Sequence, residues 1–596
     1  MNDKFVKKAL VSVPHRSGFD KSFRNLLTGK CGTLVPIFCD EVMPNTTVNI
    51  NLAMAVQLPP LASDTFMNVN YKVEAFFVPT RLLMAGYEDW IARKDTVSAN
   101  GAGNTTRTLR APIIQFTPSQ AVPGSLLDYL GVMTQSVGAT ENGNPTGMTT
   151  ESVCTAFPAL AYGLIWNEWY RNPMVQQSLY YNQLEAKVQN INGYVPSVMR
   201  WFTPEEDSNN YILGANQYYR DQSNIFTLRQ RNFGSDYFTM ATPSAQSGDA
   251  QKVSMYLPDP LQYRSINSIN PIGTSPDKSV RAYDVNYGGA AGGTIDFDNS
   301  NVPQMSFTIA SLRAANSMQM FLERQNLCGP RYVDFVKANY GANLKDSIAQ
   351  RPVYLGSFSQ PVYSKGIYQS NQENSNDVAS NNPFNSVGAR YGHAYAEGSS
   401  HIVDFTAEET GYIMILGSLV PDVTYSSGIE KYLSRYIYKS SQSDLANPIL
   451  QNVGNQPILA KELDAKLVFD TVAYSNANGV FGYVERYADW KTRNNQLHGL
   501  MRDGGSLAAF ALQRYWDLGA NDDIFITSDF LQIPVDFMDQ VTAASDAISE
   551  YGYWADFYFD YKVSQPLYEY SLPSLQDPAY EHGNTFLIDR SGKHID

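Results

Sequence analysis

The side chains with the most direct chemistry stand at the start of the chain. Residues 1–30 hold seven cations, Lys4, Lys7, Lys8, Arg16, Lys21, Arg24 and Lys30, against Asp3 and Asp20, while the whole chain carries a net charge of -14. A cationic arm on an acidic body is suited to contacting phosphates without reading sequence, and Phe5, Phe19 and Phe23 add rings that can pack or stack on bases. The plainer reading is a solvated terminal tail that keeps its own end soluble.

Catalytic spacings are missing. Gly29-Lys30 is no phosphate-cradling Walker A run, because Arg24 stands where the first glycine belongs and Cys31 follows the lysine. The sequence contains no Gly-x-Gly-x-x-Gly, His-Glu-x-x-His, Gly-x-Ser-x-Gly or Cys-x-x-Cys. Asp296-Phe297-Asp298-Asn299-Ser300 opens like a calcium loop, but Asn301 replaces its glycine and Phe307 its bidentate carboxylate. The six histidines, His15, His393, His401, His498, His582 and His594, are scattered. Ser399-Ser400-His401 with Asp404 is the one run that imitates a nucleophile, base and acid, and neighbours in sequence rarely point at one another. No cofactor or metal site is expected, and a structural role fits better than an enzymatic one.

The body behind these residues has to be large and folded. Its 596 residues are 43% hydrophobic, 13% aromatic and only 17% charged, which excludes a disordered chain. Cys31, Cys39, Cys154 and Cys328 are too few and too dispersed for a disulfide framework and read as free thiols. The opening residues are interrupted by Lys7, Lys8, His15 and Arg16, so no secretory signal is expected. The longest apolar runs, such as 159–166 and 412–416, fall far short of the roughly 18 residues that span a bilayer, so no membrane insertion is expected either.

Strand periodicity marks both ends of the chain. Val48–Val56 alternates large apolar with small or polar residues and stops at Pro59-Pro60; Asn68–Val78 alternates again and stops at Pro79. Lys466–Ala473, Gly479–Glu485 and Ala555–Ser564 read likewise, the last with Phe557, Phe559, Tyr561 and Val563 on one face and Tyr558, Asp560 and Lys562 on the other. Helices are few: 159–171, 308–327 with an apolar stripe of Leu312, Ala315, Met318 and Leu322, and a short one marked by Tyr332, Phe335, Val336 and Tyr340. Between them run long Gly, Asn, Ser and Pro-rich stretches at 98–110, 135–152, 205–305 and 369–400. Strands far apart in sequence with non-helical material between them predict a sandwich or jelly roll closed by long connections.

Several blocks then resemble one family in collinear order. They are Arg16–Ser22, Leu58–Phe66, Val69–Pro79, Leu312-Arg313-Ala314-Ala315 running to Leu322-Glu323-Arg324, Gly329–Tyr332, Gln350–Gly356 and Phe481–Trp490. Over about 16–572 the chain resembles the major capsid proteins of the Microviridae, the small icosahedral bacteriophages with single-stranded DNA, and most of all the gokushovirus-like group. Pro330 departs from the Thr usual there, and the tail after Leu575 has no counterpart in the resemblance.

The resemblance implies a mainly β fold, an eight-stranded antiparallel viral jelly roll with very long inserted loops and a few short helices. It implies a structural protein of the virion, made in the host bacterial cytoplasm, that forms a T=1 icosahedral capsid of sixty copies around circular DNA through pentamer and three-fold contacts. Its partners would be itself, genomic single-stranded DNA, minor capsid or pilot and small DNA-binding virion proteins, and a host surface receptor. Four stretches follow within one structural domain: a basic interior arm at 1–34, first strands at 35–204, a surface insertion at 205–305 and the remaining strands and tail at 306–596. Lys4, Lys7, Lys8, Arg16, Lys21 and Arg24 are the expected nucleic-acid contacts. Exposed aromatics of the insertion, Tyr237, Phe238, Tyr263 and Tyr283, are the expected host contacts at a three-fold protrusion. A large β-sandwich carbohydrate-active or carbohydrate-binding protein is the alternative, since Tyr, Trp and Asn also suit glycans; an exported protein of that kind would carry a signal.

Overall fold

The structure is a computed structural model, and it describes mainly residues 16–84 apart from 64 and 67, 121–132, 152–179, 227–248, 309–368, 390–434, 454–464, 479–514, 525–543 and 552–567. In chain order the first strands are β1 (Ser17–Asp20), β2 (Phe23–Gly29), β3 (Val35–Val42), β4 (Thr46–Gln57) and β5 (Val69–Pro79). Then come β6 (Val353–Pro361), β7 (Tyr363–Tyr368), β8 (Arg390–Ala407), β9 (Gly411–Pro421), β10 (Gln456–Leu459), β11 (Val480–Val484) and β12 (Tyr553–Gln565). The expected strand at 466–473 lies outside the described residues.

One antiparallel sheet runs β1-β12-β4-β8-β7, with β2 also on β12, and a second runs β6-β5-β9-β3. Along the chain the path passes between the two sheets at every step of β2, β3, β4, β5, β6, β8, β9 and β12 except from β5 to β6, which pair within the second sheet. This is the double-sheet jelly roll. The alternating strands at 48–56 and 68–78 are therefore neighbours in sequence but fall in different sheets. Their alternation has a simple cause: Val48, Ile50, Leu52, Met54 and Val56 enter the space between the sheets, as do Val69, Tyr71, Val73 and Phe77. Each such side chain stabilises the fold by roughly 1.5–3 kcal/mol.

Strand β9 shows no alternation and is buried at every position. One side faces the sandwich core through Ile413, Ile415 and Leu419. The other carries Tyr412, Met414 and Leu416 into a second apolar cluster with helix α1 (Phe157–Ile165). Pro158 opens α1 in its first turn, and a wider π turn, Trp166–Tyr170, continues it. A third cluster gathers Tyr237, Phe238, Phe481, Phe530 and residues of β10 and β11. Between it and the main core, the Arg514 guanidinium lies 3.8 Å from the centre of the Phe530 ring and 4.3 Å from that of Phe233.

Two compact units divide the chain, one of Gln246–Asn326 and one of the remainder. The division falls within the stretch 205–305 that the sequence marks as an insertion. Residues 227–245 belong to the larger unit, where Gln230 bridges Thr33, Asn232 bridges Gln532, and Phe233 enters the main core. The smaller unit contains nearly all of helix α2 (Ile309–Cys328), where Gln319 Nε2 donates to Glu323 Oε1 at 2.9 Å. Its apolar spacing makes a helix but no buried stripe, since Leu312 and Met318 are 45% and 47% exposed. In the larger unit, α3 (Tyr332–Tyr340) ends on Gly341, whose φ of 68° suits the left-handed cap. Tyr332 and Tyr340 are exposed on it.

Candidate functional site

The second sheet is covered by α1 and its cluster, whereas the outer face of the six-stranded sheet is open to solvent among the described residues. Register fixes what this face displays. Side chains alternate along each strand, so residues paired across strands stand in rows. One row is Thr28, Trp554, Gln57, Tyr395 and Tyr363. The next is Leu26, Asp556, Ala55 and Glu397, followed by Arg24, Tyr558, Ala53 and Ser399. Farther along come Asp560, Asn51 and His401, then Asp20, Lys562, Asn49 and Asp404. Trp554, Tyr558 and Tyr363 are 43%, 50% and 52% exposed. The small residues Ala53, Ala55, Gly398 and Ser399 floor a shallow depression beside Tyr558.

The described cations of this region are already engaged. Arg24 forks onto Asp556, with Nε donating to Oδ1 at 2.6 Å, and this contact draws the Asp556 carboxyl below its usual range. Lys21 pairs with Asp40 and sits 5.1 Å from the centre of the Tyr561 ring. Arg16 donates to Asn45 Oδ1 at 3.4 Å and to the Ser564 carbonyl at 3.1 Å. Asp560 is likewise held low, first by the Lys562 ammonium and then by the Asn51 amide. Arg16, Lys21, Arg24 and Lys562 thus have anionic or carbonyl partners and Lys365 lies 5.2 Å from the centre of the Tyr395 ring, so the face is aromatic and largely charge-compensated rather than basic. Lys4, Lys7 and Lys8 lie outside the described residues.

Residues 17–29 are strands of the sheet, and β2 is its edge. Among the described residues, the Tyr129 hydroxyl donates to the Thr28 carbonyl at 2.5 Å and the Asn25 amide donates to the Ile37 carbonyl at 2.8 Å. A trough of about 1600 Å³ runs beside β2, lined by Phe23, Leu27, Ile37 and Phe38 on one side and by 123–131 on the other.

Of the expected host contacts, Tyr263 and Tyr283 lie outside the described residues. Tyr237 and Phe238 are not exposed: they keep 8% and 4% of their surface. Asp236 is the cause. Its Oδ1 accepts from the backbone N–H of Phe238 at 2.8 Å and of Thr239 at 2.7 Å, closing a turn that directs both rings inward. Tyr237 then donates to Glu462 Oε2 at 3.0 Å, and Phe238 packs 4.9 Å from Tyr425. An acid followed by two aromatics and a threonine was the signal for such a turn.

The imagined Ser-His-Asp group does not assemble. His401 Nδ1 is 2.8 Å from Asn51 Oδ1, the Ser400 hydroxyl donates to a backbone carbonyl, and a bulge between His401 and Val403 separates His401 from Asp404. Among the described residues no group of three acids, histidines or cysteines is placed to hold a metal ion. No described helix is long and apolar enough to cross a membrane. The alternating pattern of 553–565 already put Tyr558, Asp560 and Lys562 on one face; that Trp554 and Tyr558 join Tyr395 and Tyr363 across strands needed the register.

Comparison with known proteins decides the family. The profile described as "Capsid protein (F protein)" matches residues 10–575. The chain belongs to this phage capsid protein family. Among its relatives, the capsid protein VP1 of Chlamydia phage 1 is 26% identical over 97% of this chain and 98% of its own length. Capsid protein VP1 of Bdellovibrio phage phiMH2K is 26% identical over 94% and 95%. That of Spiroplasma virus 4 is 21% identical over 96% of both chains. The resemblance to Microviridae capsid proteins is thereby borne out, and the chain is a structural protein of the phage capsid family with a jelly-roll body.

Proposed function

We propose that this protein is the major subunit of a T=1 icosahedral shell, sixty copies around a circular single-stranded DNA genome. The observation that carries the reading is a family match spanning nearly the whole of a double-sheet jelly roll. A closed shell requires each copy to offer several complementary surfaces, and the long connections between strands supply them. The purified chain should form uniform small icosahedral particles in electron microscopy; soluble monomers at every concentration and ionic strength would overturn the reading.

Lys4, Lys7 and Lys8 are the phosphate contacts of this proposal, because Arg16, Lys21 and Arg24 are occupied within the subunit. Charge limits their share. A gene for this chain alone needs 596 × 3 = 1788 nucleotides, so three lysines in each of sixty copies neutralise only about a tenth of that minimum. Small basic virion proteins, polyamines or metal ions supply the rest, and a minor pilot protein completes the particle. Host attachment falls to the stretch holding Tyr263 and Tyr283, at a three-fold protrusion. Replacing 283–298 by a short Gly-Ser linker should leave particles that adsorb poorly to host cells, whereas loss of assembly would assign that stretch to bracing subunits.

A further inference from the structure

We propose that the free edge of β2 and the trough beside it receive the amino-terminal segment of a neighbouring copy, which adds as an extra strand. The inference rests on the self-assembly proposed above. An open edge is a row of unpaired N–H and C=O groups ready to template another strand, and proteins normally cover or blunt it. Here, among the described residues, the edge Phe23–Gly29 has its ladder on β12 alone. Leu26 stands 68% and Phe23 39% exposed along it. The trough's volume of about 1600 Å³ leaves room for an extended segment, and the exposed Phe23 and partly exposed Leu27 give it apolar lining.

The occupant follows from the chain that precedes β1. Residues 1–15 lie outside the described residues and contain Ala9-Leu10-Val11-Ser12-Val13, whose alternate and β-branched residues suit a strand. Fully extended they reach roughly 50 Å. Their point of departure faces away from their own trough: Ser17 pairs with Gln565, while Gly29 pairs with Tyr553 at the opposite end of β12. Folding back along the same edge would need a tight turn within Val13-Pro14-His15-Arg16-Ser17, which offers no Gly, Asn or Asp for the positive φ of a hairpin. Arg16 also fastens the chain to Asn45 and the Ser564 carbonyl, holding it in line with β1. β1 thus leads away from its own trough, and in a closed shell every copy gives one strand and receives one.

The test is cross-linking in assembled particles. In a Cys328→Ser background, Thr28→Cys is combined in turn with Ala9→Cys and Val11→Cys, and particles are oxidised with diamide. Disulfide-linked dimers and longer ladders on non-reducing gels are expected for at least one pair, and at least tenfold less of them from dilute unassembled subunits. A link within single chains only, or none in intact particles, overturns the proposal. Should the cysteine variants not assemble, hydrogen exchange on unmodified particles decides: amides of Phe23–Gly29 should exchange at least tenfold more slowly than in free subunits, and equal rates overturn it. Absence of particles from the unmodified chain would instead count against the capsid reading.

Discussion

The hydroxyls of Tyr71 and Tyr553 meet 3.3 Å apart in the middle of the sandwich, one from each sheet, with their rings edge-on at 5.5 Å. Both side chains are fully buried, and burial drives both phenols upward from their usual range, so the contact is a neutral hydrogen bond at any physiological pH. Removing one hydroxyl leaves the other without its partner in an apolar space. Tyr553→Phe should cost about 1–3 kcal/mol in urea unfolding, and Tyr71→Phe a similar amount. The double variant should be closer to wild type than the sum of the two; strict additivity would show that the hydroxyls do not interact.

A second, partly buried pair sets an acid limit. Arg231 forks onto Glu74 at 2.7 and 3.0 Å, with the Tyr170 hydroxyl on the same carboxylate. Burial alone would raise the Glu74 carboxyl, but Arg231 more than offsets it and the group is held below its ordinary 4.5. Its stabilisation is complete above that value and disappears as pH falls through the lower folded one. Glu74→Gln should lose about 3 kcal/mol at pH 7. The gap from wild type should be flat down to about pH 5 and narrow below 4.5; a gap that widens in acid would contradict the assignment.

Phe238 separates a packing role from a receptor role. Its ring fills the third cluster beside Tyr425, so Phe238→Ala should destabilise the subunit by about 3–5 kcal/mol. Thermal unfolding reads this directly. Normal stability with reduced host adsorption would return Phe238 to the surface.

The cations divide into two groups with different readouts. Changing Lys4, Lys7 and Lys8 together to Gln should lower the DNA packaged per particle while leaving subunit stability unchanged. Arg24→Gln, which breaks an exposed pair with Asp556, should leave DNA content as it is. The opposite pattern, measured by ultraviolet absorbance of purified particles, would place the nucleic-acid contacts on the sheet.

Much of the fold was legible because local patterning and burial agree. The alternation of 48–56, 68–78 and 555–564 is the signature of a strand with one wet face, and each is a strand. Strand β9 was legible only as an apolar run, since α1 covers the face that would otherwise read as polar. What the sequence concealed was pairing. No local pattern tells β4 to lie between β8 and β12, and the long stretch 80–352 separates β5 from its partner β6. The candidate site was obscured for the same reason: Arg24 looks free along the chain until the register brings Asp556 to it. Composition alone misread Tyr237 and Phe238, because a Gly- and Asn-rich stretch suggests exposure and the side-chain cap of Asp236 acts over only three residues.

The pairing of Ser17 with Gln565 has a consequence during synthesis. At roughly 5–20 residues per second, about half a minute to two minutes pass between the appearance of β1 and that of β12 on the ribosome. Until then β4 lacks one neighbour and β1 and β2 have no strand to pair with. Completion of the six-stranded sheet is therefore a post-translational event, of high contact order and correspondingly slow. That interval leaves unpaired strand edges on every nascent chain, so a chaperone that covers such edges should raise the yield of folded subunit.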